Sequence, residues 1–324
     1  MNEQAWHDDS TEAVLLVDAD NAFNRLNRKV ALHNVQQICP PMYKYLFNHY
    51  QSPAHLVIAN SSDSEPFDLS SDEGCTQGDV GAMAFYALGV KPLVDKLDSK
   101  CCHPNNCKQS WYADDSGAIG RLIAIKKWWD TLISLGPKYG YFPKPEKTVL
   151  LLKHPDDVRQ ANAIFENTGI KLKLDGHRYL GAALGTQAFK ESFVKEKVKK
   201  WVDDILELSE IAIDNPQIAL TAYTKGICHR WAYIQRTIGG ISNLFTPLEE
   251  CIKETFLPSV IGRKVSDAER KIFSLPVRYG GLGVANPVET CEREFHSSLT
   301  ITEDLTRPHR SHIQTRAGFL PIQC

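Results

Sequence analysis

Three acidic residues have the types and setting that metal-dependent chemistry uses. Asp18 closes the apolar run Ala13-Val14-Leu15-Leu16-Val17, and Asp114-Asp115 lie between two short runs that read as the arms of a hairpin. Transfer of a phosphoryl or nucleotidyl group by two divalent ions needs carboxylates from separate chain segments. The ions must sit about 3.5–4 Å apart to polarise both the attacking and the departing oxygen. A carboxylate at a strand end and a pair at a tight turn supply that set, and the expectation is that Asp18, Asp114 and Asp115 converge to metal-binding distance. Each alone is an ordinary turn former, because short acidic side chains hydrogen-bond their own backbone at turns. The joint pattern carries the reading.

The elements that must position them follow from periodicity. Val14–Val17 reads as a buried strand broken by the polar Asp18-Ala19-Asp20-Asn21. A polar stretch from Asn60 to Glu73 leads through Gly74-Cys75-Thr76-Gln77-Gly78-Asp79 into the small and apolar run Val80 to Leu97, a loop feeding a helix whose N-terminus Asp79 favours. Lys108–Ala113 and Ser116–Gly120 form a hairpin with both aspartates at its turn. Leu122, Ile125, Trp129, Leu132 and Ile133 then recur at helical spacing until Gly136-Pro137 stops them.

The second half has a different texture. Val194, Val198, Trp201, Val202, Ile205 and Leu208 form one stripe of a helix from Phe193 to Ile213. A second helix opens at Asn215-Pro216, with Asn as cap and Pro at the first position, and runs to about Ile238. The expected fold class is therefore α+β, a mixed half followed by a mainly helical half, with the join near Gly185.

Composition narrows the partners. The 324 residues carry a formal net charge of −2, so the chain lacks the basic excess of a protein that grips nucleic acid by bulk charge, and any such site must be local. Its apolar runs fall far short of the roughly 18 residues a membrane span needs. The polar, acidic start from Met1 to Glu12 is unlike a secretory signal, which suggests an intracellular protein. Nine cysteines, an odd number with no CxxC pair, fit reduced thiols.

Five motifs, in order, and one further segment downstream carry a family resemblance. Asp18-Ala19-Asp20-Asn21-Ala22-Phe23 resembles the DxxxAF motif of reverse transcriptases, Glu73 to Asp79 their QGD motif, and Tyr112-Ala113-Asp114-Asp115 their YxDD box. Gly140-Tyr141-Phe142-Pro143 with Lys147-Thr148 is similar to the lysine motif that follows, and His177-Arg178-Tyr179-Leu180-Gly181 to the primer-grip hairpin. Leu275-Pro276-Val277-Arg278-Tyr279-Gly280-Gly281-Leu282-Gly283 resembles a segment found after the thumb in polymerases of the non-LTR retrotransposon type. The resemblance spans about Ala13 to Pro287. It implies a polymerase palm, an antiparallel sheet with packed helices, over residues 13–185, after a polar stub at 1–12. It also implies a helical thumb and C-terminal extension over 186–300, before a polar tail at 301–324.

The implied activity is RNA-directed DNA synthesis with two Mg²⁺ ions, Mn²⁺ being an alternative, on an RNA template, a DNA primer and deoxynucleoside triphosphates. Residue by residue, the resemblance makes Asp18, Asp114 and Asp115 catalytic metal ligands with the Ala19 carbonyl, and Lys147 a proton donor to the leaving pyrophosphate. It puts Phe23 under the sugar of the incoming nucleotide, Gln77 and Gly78 beside nucleotide and template, and Tyr179, Leu180 and Gly181 near the primer. Lys225, Arg230 and Arg236, with His229 and Tyr233, combine cations and aromatics on one expected helix and suit phosphate tracking.

This sequence departs from the family at three points. Val80 stands where proline is common, Asn24 where many members have a second aspartate, and Lys144-Pro145-Glu146 where an asparagine-containing turn is usual. Few residues precede Asp18, so the expectation is a truncated retroelement product that extends primers feebly, with a catalytically inactive remnant that at most binds nucleic acid as the alternative. Cys101, Cys102, His103 and Cys107 offer soft zinc ligands, but at irregular spacing.

Overall fold

The computed structural model describes residues 11–58, 67–102 and 107–310. The chain forms two compact units, Met1–Leu174 and Asp175–Cys324, so the residues around Gly185 belong to the second. It is an α+β protein with a helical C-terminal part, as its patterning predicts.

The strands of the first unit are β1 (Ala13–Val17), β2 (Ala54–Ile58), β3 (Phe67–Ser71), β4 (Cys107–Tyr112), β5 (Asp115–Gly120), β6 (Val149–Leu152) and β7 (Lys171–Lys173). Every residue of β1 is apolar and buried, so both its faces and both its edges need cover. The sheet order β4-β5-β1-β6-β7 supplies the edges, with all neighbours antiparallel except β6 and β7. Helices supply a face: Phe85, Leu93 and Leu97 of Ala82–Leu97 and Ile125, Trp128 and Leu132 of Leu122–Leu135 share a core with Leu15 and Leu150. Among the described residues, strands β2 and β3 pair only with each other.

Two boundaries differ from expectation. The helix after the Gln77-Gly78-Asp79 loop begins at Ala82, because the Asp79 carboxylate accepts from the Gly81 amide at 3.2 Å and from the Tyr50 hydroxyl, closing a turn first. In the hairpin Tyr112 pairs with Asp115, so Asp115 is the first residue of β5 and the turn is Ala113-Asp114. Ala113 adopts φ 54°, a left-handed conformation that costs a non-glycine residue of order 1–3 kcal/mol.

The second unit opens with a hairpin, β8 (Gly176–Tyr179) and β9 (Ala182–Gly185). Its turn residues Leu180 and Gly181 are both left-handed, at φ 48° and 84°, as two-residue hairpin turns require. The helix Gln187–Asp214 starts earlier than its apolar stripe because the Thr186 hydroxyl caps it, accepting from the Phe189 amide at 3.3 Å. The expected continuous helix to Ile238 is broken: Pro216–Lys225 ends at Gly226, a short 3-10 turn follows, and Ala232–Thr237 resumes the helix. Glycine is the weakest ordinary helix former, and the bend packs Tyr223 against Trp231 with ring centroids 6.1 Å apart and Trp231 against Trp201 with centroids 5.9 Å apart. Asn215 occupies the cap position without a capping side-chain bond. The last helix, Pro287–Arg310, extends into the expected tail, and residues 311–324 lie outside the described residues.

One buried ion pair ties this unit together. Arg270 donates through Nε and Nη2 to the two Glu249 carboxylate oxygens at 2.7 Å and through Nη1 to the Val284 carbonyl at 2.7 Å. Arg270→Ala strands a buried carboxylate and that carbonyl, and should cost about 3–5 kcal/mol in denaturant unfolding. Replacing both partners with Arg270→Met and Glu249→Leu should recover most of the loss.

Candidate active site

The register of β1 creates the site. Val17 pairs with Ser116 of β5 and Leu16 with Val149 of β6, so the central strand delivers Asp18 to the sheet end where β5 begins with Asp115 and the turn presents Asp114. Just beyond Val17 the chain is held by the segment before β6. The Lys144 amide donates to the Asp18 carbonyl and the Asp20 amide to the Phe142 carbonyl, both at 2.8 Å, flanking an isolated bridge between Ala19 and Pro143. Because successive strand carbonyls alternate in direction, the Ala19 carbonyl faces the other way, toward the β5 side.

Beneath the turn lies a support that sequence reading did not single out. Tyr141 is fully buried and its hydroxyl donates to the Asp114 carbonyl at 2.9 Å. That hydroxyl has one proton, so the buried Ser116 hydroxyl, 2.8 Å away, must donate to Tyr141. Trp111 packs edge-on against the Tyr141 ring at 5.2 Å, and the indole nitrogens of Trp111 and Trp128 both donate to the Gln109 side-chain oxygen. A signal was present in Gly140-Tyr141-Phe142-Pro143, but the partner of the tyrosine hydroxyl is set by strand pairing.

Electrostatics tie the acids together. Burial raises the pKa of Asp115, and the neighbouring charges of Asp114 and then Asp18 raise it further. Asp18 meets the Lys147 ammonium at 3.4 Å. Asp20 is shared by Lys144, at 2.6 Å, and Arg25, and the Lys144 bond leads in holding its carboxyl below the usual range. Arg25 also lies over the Phe142 ring, 3.8 Å from its centroid. The departure Lys144-Pro145-Glu146 thus brings a cation to the residues after Asp18.

Carboxylates and a main-chain carbonyl are the oxygen donors hard divalent ions take, so the donor set fits magnesium in kind. Among the described residues, however, no three His, Cys, Asp or Glu side chains stand together as a ready metal-holding group. Three like charges repel one another, and the Asp18 carboxylate has the Lys147 ammonium as its counter-charge. Cys101 bonds to the Lys127 carbonyl and Thr131 hydroxyl of a neighbouring helix, and His103 lies outside the described residues.

Phe23 is half-buried and stacks on Tyr86, ring centroids 4.6 Å apart at 16°. Tyr86 is buried, and its hydroxyl has no hydrogen-bond partner among the described residues. The loop carrying Gln77 and Gly78 docks beside Phe23, since the Cys75 amide donates to the Phe23 carbonyl at 2.8 Å and the Gly74 amide to the Leu26 carbonyl at 2.9 Å. Arg28, 6% exposed, pins the same loop by donating to the carbonyls of Ser71, Glu73 and Gly74. Gln77 and Gly78 themselves are exposed, and Gly78 is left-handed at φ 92°.

The remaining expected residues lie in the second unit. Tyr233 donates its hydroxyl to the Leu180 carbonyl and packs under Gly181, which binds the hairpin of Tyr179, Leu180 and Gly181 to the helix Ala232–Thr237. Arg230 pairs with Asp204 and Arg236 with Glu294, each arginine about half exposed, while Lys225 is exposed. The helix break at Gly226 separates Lys225 from the other two, so they do not share one helical face.

No protein-family model and no curated protein matches the chain. Among solved structures it is similar to the telomerase of Candida tropicalis in complex with a TWJ fragment of telomeric RNA, at 13% identity and TM-score 0.41, over 92% of this chain and 48% of that one. It is similar to the apo telomerase of Candida tropicalis at 11% identity and TM-score 0.39, over 95% and 50%. The Candida albicans telomerase in complex with a TWJ fragment of telomeric RNA gives 11% and 0.32, over 86% and 49%. This chain spans about half the length of each. Among its described residues no helix is long and apolar enough to cross a membrane.

Two outcomes check the site. Tyr141→Phe leaves the Asp114 carbonyl and the Ser116 hydroxyl short of a buried partner and should lower unfolding stability by about 1–3 kcal/mol. For Asp115 the native pKa lies above the unfolded one, so ionisation at neutral pH opposes folding and the penalty fades as pH falls through the native value toward about 4. Asp115→Asn should therefore melt higher than the parent at pH 7.5 in EDTA, and the difference should close at pH 4. A lower melting temperature for the Asn variant at pH 7.5 would contradict the shared-charge picture.

Proposed function

We propose that this chain is the catalytic part of a reverse transcriptase, joining deoxynucleotides to a primer 3′-hydroxyl on an RNA template, and that it derives from a retroelement of the non-LTR type. The observation that supports the reading is that strand pairing brings Asp18 and the Asp114-Asp115 turn to one end of the sheet, where the charges of Asp114 and Asp18 act on Asp115, with Phe23 and the Gln77-Gly78 loop docked on the residues just after Asp18. Asp18, Asp114 and Asp115, with the Ala19 carbonyl, would hold Mg²⁺ or Mn²⁺. Bound there, divalent ions supply Lewis acidity to the oxygens of nucleotidyl transfer.

The side chains do the rest. Phe23, backed by Tyr86, presents a ring that excludes a 2′-hydroxyl by volume. Lys147, whose side chain is 57% exposed, is free to turn from Asp18 to a leaving pyrophosphate once a metal takes up that carboxylate's charge. Arg25 and Lys144 add cationic character against a triphosphate. In the second unit the hairpin of Tyr179, Leu180 and Gly181 offers a rigid edge to a primer, and Lys225, Arg230 and Arg236 attract phosphates.

A second reading, a remnant that keeps the fold and at most binds nucleic acid, is favoured by the lack of a ready three-ligand group among the described residues. Metal titration separates the two. Under the catalytic reading Mg²⁺ or Mn²⁺ should raise the melting temperature of the parent but not of Asp114→Asn, and primer extension on an RNA template should be slow and Asp114-dependent. Neither a melting shift nor extension with either ion would leave only the remnant. Where extension is measurable, Phe23→Ala should raise ribonucleotide relative to deoxynucleotide incorporation, and Phe23→Tyr should change it little. Volume exclusion is lost with the ring, not by an oxygen at its far edge.

A further inference from the structure

Between the helix Asp267–Ser274 and the helix Pro287–Arg310 the chain turns its side chains outward. Residues 275–280 are exposed without interruption. They include Val277 at 74% and Tyr279 at 65%, with Ile272 exposed on the preceding helix at 49%. Such a run invites the bland account of a loose surface loop, but the backbone here is held at many points. The Tyr279 amide donates to the Pro276 carbonyl at 2.8 Å, Gly280 to Val277 at 3.0 Å, Gly283 to Leu275 at 2.9 Å and Val284 to Phe273 at 3.0 Å. Gly281 is buried so tightly against the Leu275 carbonyl that a Cβ would collide with it. The far end is fixed by the buried Arg270, which donates to the carbonyls of Val284 and Ala285. Ordering backbone costs about 1–2 kcal/mol per residue, and outward-facing side chains return none of it by core packing.

The charges around this loop are unequal. Its acidic neighbours are already engaged: Glu269 by Arg263, Asp267 by Lys253 and Glu249 by Arg270. Lys264, Lys271 and Arg278 are exposed and have no carboxylate ion pair among the described residues. In a chain of net charge −2 these cations stand out, although Lys271 also acts on the Asp267 carboxylate. Arg278 also sits with its guanidinium 5.0 Å from the centroid of the Tyr279 ring. With the guanidinium over the ring and the residue 65% exposed, Tyr279 presents ring surface to solvent.

We propose that Arg278 and Tyr279 form a stacking platform for single-stranded nucleic acid. One base lies on the exposed ring surface of Tyr279, and flanking phosphates are drawn to Arg278 and Lys271. Every base has a π-face and every nucleotide a phosphate, so an aromatic ring in a cationic setting recognises single strands with little regard to sequence. Left-handed Gly280 beside the ring bears no side chain, and a Cβ there would meet only open space, so a strand can approach the backbone closely. This platform does not depend on the catalytic reading, because binding needs none of the carboxylates.

The test uses the full chain and two fluorescein-labelled probes, a 15-nucleotide oligo(U) and an oligo(dT) of the same length, followed by anisotropy. Tyr279→Ala should raise Kd roughly five- to a hundredfold, the range that loss of one base–aromatic stack gives. Tyr279→Trp should bind at least as well as the parent. Arg278→Ala should weaken binding and reduce the salt slope by about one. The melting temperature of each variant should match the parent, since both side chains are exposed. Ultraviolet cross-linking of bound oligo(dT) should mark the peptide containing Tyr279. The proposal is overturned if the chain binds neither probe, or if Tyr279→Ala binds both as tightly as the parent, the result expected of a surface that meets another protein instead. Asp114→Asn serves as the separating control: retained binding with lost extension speaks only to catalysis.

Discussion

Mutual repulsion of like charges is the constraint on which the first unit depends. Three carboxylates share one sheet end, and burial with two neighbouring charges already disfavours ionisation of Asp115. Left to themselves, side chains of this kind would move apart. Their placement is fixed by the backbone beneath them: β1 is the central strand, paired on both edges and buried on both faces, so the position of Asp18 is set by many contacts made elsewhere. The hairpin that presents Asp114 carries a left-handed Ala113 and is held from below by the buried Tyr141 and Ser116 hydroxyls. Lys147, Lys144 and Arg25 offset the charge from the side.

A second device recurs in both units. In each, a buried arginine donates to main-chain carbonyls of a connecting segment. Arg28 holds the segment Ser71 to Gly74 in the first unit, and Arg270 holds Val284 and Ala285 in the second. A guanidinium has five donors in a fixed fork, so one side chain can satisfy several carbonyls that no helix or strand would pair. In both places the fastened segment adjoins residues with functional readings, Gln77 and Gly78 in one case and Arg278 and Tyr279 in the other. Fixing the loop spares a ligand the cost of ordering it.

Much of this was legible in one dimension. The buried strand, the hairpin, the helix after it and the helical second half all follow from apolar periodicity and turn residues, because those signals are local. The helix break at Gly226 was not legible. The apolar pattern runs on through it, and the bend answers to the packing of Tyr223 and Trp231 near Trp201. The start of the helix at Ala82 was missed for a like reason, since Asp79 is engaged by Tyr50 from a different helix.

For the site, the sequence by itself determined which groups are available: carboxylates at Asp18, Asp114 and Asp115, an aromatic at Phe23, a lysine at Lys147, and a glycine-containing loop at Gln77 and Gly78. Residue type and short-range spacing carry that information. Only the tertiary structure decided that Tyr86 backs Phe23, that Tyr141 and Ser116 support the Asp114 turn, that Arg25 and Lys144 share Asp20, and that Arg278 lies over an exposed Tyr279. Most of these pairings join side chains distant in the chain, and a partner is chosen by strand register and helix packing, which no local pattern encodes. Even for neighbours such as Arg278 and Tyr279, exposure and ring geometry depend on how the surrounding backbone is held.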